Sequence, residues 1–216
     1  MGHERVGALP RTKRWQDVVG GITNAAAADG DVRELANATL ESVRSRLLGI
    51  HGDAGFVASF QFLLGLALSA SPGVDRASLG ELAVDLEANP SPLKLAGALS
   101  QYVANNTQSA EYAEIARKAA VDVISIWTEQ HARQLSFTGE HEQASEVWRS
   151  ASDGRGFCEV ARLFFGKFVE RYLNYFIGRE ASSHLANTED RERLARRLGD
   201  HVDGVSHHAC GTPSLM

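Results

Sequence analysis

Residues 157–182 read FCEVARLFFGKFVERYLNYFIGREAS and hold five of the nine phenylalanines and two of the four tyrosines. Aromatic residues recur there at three- and four-residue steps and multiples of them, which places them on one face of an α-helix. A second apolar stripe runs beside the first: Val160, Phe165, Val169, Leu173 and Phe176. A helix that is apolar over more than half its circumference packs against several neighbours. We therefore predict that 157–182 is the central helix of an all-helical domain.

The remaining chain predicts helices that surround this one. No window shows sustained two-residue alternation of β-branched residues, so no strand is predicted. We predict an all-α, irregular bundle of seven to eight helices, in which the segments 54–71 and 109–133 pack around the central helix. Residues 1–11 are expected to form a loose arm, 12–209 a single helical domain, and 210–216 a flexible tail.

Segment 54–71, AGFVASFQFLLGLALSAS, carries no charge over eighteen residues. Its length reaches the range of a membrane-spanning helix. Gln61, Gly65 and several serines lower its hydrophobicity, and no second such segment exists to pair with it. The sequence therefore favours a helix covered by protein over a membrane span. It leaves open whether the covering surface is the core or an interface.

Two sequence patterns predict where helices begin. Asp31 followed by Glu34 resembles a capping box, in which a side-chain oxygen accepts a hydrogen bond from the third backbone N–H of the helix. Ser78 followed by Glu81 matches the same pattern and predicts a short helix from Ser78 through Leu86.

Composition narrows the function classes. The chain has 216 residues, 44% hydrophobic and 23% charged, which is the ordinary balance of a globular protein. A net charge of −5 gives no strong case for nucleic-acid binding, because such domains present a basic face. Two distant cysteines form no disulfide framework, and the first residues contain no secretory signal, so we expect a cytoplasmic protein. The Ala-, Arg-, Asp- and Gly-rich composition is typical of bacterial proteins.

Catalytic motifs are absent from the sequence. It contains no GxxxxGK[ST], GxGxxG, GxSxG or CxxC pattern, so nothing predicts a phosphate loop, a dinucleotide site or a hydrolase nucleophile. We expect no cofactor, and the sequence favours a non-enzymatic role.

Metal-ligand residue types gather near the C-terminus, and these are His201, His207, His208 and Cys210. His201 and His208 are seven residues apart and share a helix face, whereas zinc ligands on a helix normally stand one turn apart and are completed by a second cluster. The alternative hypothesis is therefore a metal- or ligand-binding helical protein, enzymatic or not, that uses this His-rich helix.

A narrow polar strip crosses the apolar central helix, formed by Arg162, Glu170 and Arg171. Charges on so apolar a helix need partners, because a buried ion is tolerated only when it is paired and hydrogen-bonded. We predict that this strip is either internally paired or faces a partner.

The leading hypothesis is a non-enzymatic helical interaction or accessory subunit of a cytosolic assembly. It would bind a protein partner, or a second copy of itself, through apolar helix surface that exceeds the need of its own core. The motivation is that three helices are strongly apolar while no catalytic motif is present.

Overall fold

The structure is a computed structural model that describes residues 12–27, 30–86, 88–107, 112–138 and 143–209. These residues form nine α-helices and two short 3-10 helices. The side chains of 133–138 and 207–209 lie outside this description. The α-helices are α1 (Lys13–Ala26), α2 (Val32–Leu48), α3 (Ala54–Ser69), α4 (Arg76–Leu79), α5 (Pro92–Asn106), α6 (Ala113–Thr138), α7 (Ala144–Arg149), α8 (Gly154–His184) and α9 (Thr188–Ala209).

The predicted all-α class is confirmed, with one helix more than the upper number expected. No strand occurs in the described residues. The predicted central helix is α8, which is longer at both ends than 157–182. Its N-terminus lies earlier because the Asp153 carboxylate accepts a hydrogen bond from the Gly156 N–H at 2.6 Å. The predicted arm 1–11 and tail 210–216 lie outside the described residues.

The two capping patterns have different outcomes. Asp31 begins α2 as predicted, and its Oδ1 accepts from the N–H groups of Arg33 and Glu34 at 2.9 and 3.2 Å. The predicted helix from Ser78 through Leu86 is wrong. Asp75 caps α4 instead, and the Ser78 hydroxyl donates back to the Asp75 carbonyl at 2.6 Å. A single α-helical turn, Arg76–Leu79, is followed by the short 3-10 helix Gly80–Leu82.

The carboxylate of Asp53 begins α3. Its Oδ1 accepts from the Phe56 N–H at 2.9 Å, which satisfies one of the donors that a helix start leaves free. Its Oδ2 accepts from the N–H of Tyr112 at 3.2 Å, immediately before α6. One side chain therefore fixes the starting points of two helices.

The chain divides into two compact units. The first unit consists of the described residues up to Ile50 together with those from Phe168 onward, and the second unit spans His51–Lys167. Helix α8 contributes its beginning to the second unit and its remainder to the first. The single domain predicted over 12–209 stays a prediction.

In the second unit, α3 packs against α5, α6 and α7, and α6 also packs against α5 and α7. Ala116, Ala119 and Ala120 are fully buried on α6, so their small side chains allow close helix approach. Ring contacts place α3 against the beginning of α8, with the Phe56 and Phe164 centroids 5.3 Å apart. The predicted packing of 54–71 on the central helix is thus confirmed, while that of 109–133 stays a prediction.

In the first unit, α9 packs against α1 and α2, which also pack on each other. The rings of Trp15 on α1 and Phe176 on α8 meet edge to face at 6.1 Å, and the Trp15 indole N–H donates to Glu180 at 3.3 Å. The remaining core of this unit is aliphatic and aromatic and includes Val18, Ile22, Leu35, Val43, Tyr172, Leu173, Leu194 and Leu198.

Two arginines of α9 hold the end of α1. The Arg197 guanidinium donates to the backbone carbonyls of Ala25, Ala27 and Gly30, and Arg193 donates to that of Ala26 at 3.2 Å. The last carbonyls of a helix have no partner within the helix and carry its negative dipole end. These two cations therefore act as a C-terminal cap that is supplied by another helix.

Replacing Gly65 with alanine is expected to destabilise the protein. A Cβ there would lie 2.3 Å from the carbonyl oxygen of Leu82, a backbone atom that cannot rotate away. The expected loss is about 1–3 kcal/mol in the free energy of unfolding, measured by chemical denaturation. Gly97→Ala is the matched control, because a Cβ at that exposed helical site meets nothing within 4 Å. It should stabilise by roughly 0.5–1 kcal/mol.

Arg197→Ala is expected to lower the free energy of unfolding by about 2 kcal/mol, because hydrogen bonds from a charged donor to carbonyls at the end of α1 are lost. Arg196→Ala, at the exposed neighbouring position, should change it by less than about 0.5 kcal/mol. Equal effects of the two substitutions would contradict the capping role.

Candidate functional site

The predicted polar strip is divided between the two units. Arg162 belongs to the second unit, and Glu170 and Arg171 belong to the first. All three side chains are half-buried, and each takes part in further interactions. The carboxylate of Glu170 lies against α9, because a Cβ at Gly199 would come within 3.1 Å of its Oε1. That the strip faces a partner stays a prediction.

The predicted metal ligands fall mostly outside the description. His201 is half-buried on α9, and the backbones of His207 and His208 continue that helix. The side chains of His207 and His208, and the whole of Cys210, lie outside the described residues. Among the described side chains, no group of three or more His, Cys, Asp or Glu residues is placed to hold a metal ion.

A charged network joins α5 and α6 in the second unit. The Glu114 carboxylate pairs with Arg117 at 2.6 Å and with Lys118 at 2.9 Å, and Arg117 also donates to the Ser100 hydroxyl at 3.1 Å. Burial raises the pKa of Glu114, but hydrogen bonds from Lys118 and Arg117 outweigh it, so the pKa lies below its ordinary value. The network is saturated by its own partners, which is typical of a structural role.

A shallow groove follows the outer surface of α2 in the first unit. Its polar part, about 660 Å³, is lined by side chains of both signs, and Glu41 pairs there with Arg14 at 3.5 Å and Arg44 at 3.6 Å. Its apolar part, about 510 Å³, includes Leu40, Leu47, Leu48 and Val169. Because its charges are exposed and alternate in sign, the polar part of this groove is best described as a solvated helix face.

Five phenylalanines form the most distinctive surface feature of the second unit. They come from α3 and from the beginning of α8, and we call them the aromatic patch: Phe56, Phe60, Phe157, Phe164 and Phe165. Phe60 occupies the middle, with ring centroids 5.8, 5.4 and 5.6 Å from those of Phe157, Phe164 and Phe165. The rings are tilted to one another by 34–51°, a range in which aromatic pairs attract.

The aromatic patch has a buried layer and an outer layer. Phe56 and Phe164 are buried, Phe60 and Phe157 are half-buried, and Phe165 is 46% exposed. Four large hydrophobic side chains are strongly exposed in the described part of the chain, namely Leu48, Leu93, Phe165 and Val205. Phe165 is the aromatic one among them and continues a cluster that is already packed.

The rim of the patch is uncharged on α3 and includes a charged residue, Arg162, on α8. Val57 and Leu64 stand one turn either side of Phe60 on α3, and both are half-buried. Cys158, which is exposed, shares a face of α8 with Phe165 because the two are seven residues apart. Helix α3 contains no charged residue over its whole length. The α3 side of the patch therefore offers apolar contact without charges that would lose hydration on being covered, whereas Arg162 borders its α8 side.

The sequence placed Phe165 in the second apolar stripe of the central helix and gave no indication of its exposure. The available signal was the width of the apolar surface of α8. Phe164 and Phe165 are consecutive, so their side chains diverge by about 100° around the helix axis. A single neighbouring helix cannot cover both.

No protein family, curated protein or solved structure matches the chain. Within the described residues, no helix has the combination of length and hydropathy needed to cross a membrane.

The Glu114 network predicts a pH dependence of stability. Because the folded-state pKa is lowered, ionised Glu114 stabilises the fold above the ordinary pKa of 4.5, and this contribution is lost as the pH falls through the lower folded value. Glu114→Gln should therefore cost about 1 kcal/mol at neutral pH, and the difference from wild type should shrink below pH 4.5. Urea denaturation across this range measures it, and a pH-independent difference would contradict it.

Proposed function

We propose that this protein is a non-enzymatic helical interaction subunit that binds another protein chain through the aromatic patch. The observation that carries the proposal is the exposure of Phe165, at 46%, within a cluster of five phenylalanines. An isolated exposed apolar residue needs no explanation, but a packed aromatic cluster that continues to the surface is characteristic of interaction sites.

The energetics of the patch support binding. Fully burying a phenylalanine side chain contributes about 1.5–3 kcal/mol, so covering the exposed part of Phe165 and the edges of Phe60 and Phe157 supplies a few kcal/mol. Packing against Phe56 and Phe164 already holds these rings, so little side-chain entropy is lost on binding. Rigid aromatic anchors of this kind dominate the energy of protein interfaces.

The rest of the described surface gives no comparable support for catalysis. The Glu114 network is satisfied by its own partners, and the charged groove along α2 is open to solvent. The aromatic patch itself contains no acid, base or hydroxyl. An interaction role is thus the function that the described side chains support best.

Photo-crosslinking in the native host tests the proposal. Benzoylphenylalanine in place of Phe165 keeps an aromatic ring at the patch and is expected to give a discrete protein adduct on illumination. The same residue in place of Leu93, which is 82% exposed on α5 of the same unit, is the matched control and should give none. Adding Phe60→Glu should abolish the adduct at 165, because it places a charge among the contacting rings.

The absence of any adduct at position 165, or equal adducts at 165 and 93, would overturn the proposed function. Circular dichroism and denaturation of each variant establish that it is folded before the comparison is made.

A further inference from the structure

We draw no further inference here: the strongest candidate, the apolar part of the groove along α2 in the first unit, lined by Leu40, Leu47, Leu48 and Val169, carries none because the charges that border it, Glu41 and Arg44, pair with each other and nothing in the structure shows what covers it.

Discussion

The carboxylate of Asp53 accepts hydrogen bonds from two backbone N–H groups, that of Phe56 on α3 and that of Tyr112, the residue immediately before α6. It thereby sets both the axial position of α3 and the point at which the chain enters α6. Where a helix begins determines which of its side chains face each neighbour, because each residue turns the helix by about 100°. The inward direction of Phe56 and the outward edge of Phe60 both follow from this starting point. The arrangement of the aromatic patch thus depends on the Asp53 carboxylate as well as on the aromatic residues themselves.

Close backbone approach is the second constraint on α3. Gly65 lies where the carbonyl of Leu82 leaves no room for a side chain, so the segment after α4 passes directly over the helix. The Ser69 hydroxyl accepts from the Val84 N–H at 2.9 Å and holds the same segment from the end of α3. Both contacts use small residues that dilute the hydrophobicity of α3. Residues that argue against a membrane span in the sequence therefore have a specific packing role in the fold.

Helix periodicity and end signals predicted most of the fold, and they did so where the information is local. Asp31 begins α2 because its side chain reaches N–H groups two and three residues ahead. Ser78 has the same spacing to Glu81, yet Asp75 lies closer to the start and takes the capping position. Neither capping pattern alone predicts which of two nearby residues, Asp75 or Ser78, caps the helix. The exposure of Phe165 was also unreadable, because it depends on how many neighbours α8 has at that level, and that number is set by tertiary packing.

The two units differ in when their residues become available during synthesis of the chain. The second unit is one continuous segment, so all of its helices exist once the chain has been made through Lys167. The first unit joins α1 and α2 to helices made more than a hundred residues later, and Arg197 completes the end of α1 from the last of them. Until α8 has been made, Trp15 therefore lacks its contacts with Phe176 and Glu180, whereas all residues of the second unit are already present. The first unit can therefore be completed only after α9 has been made. Bringing α1 and α2 together with helices so distant in sequence has an entropic cost of loop closure.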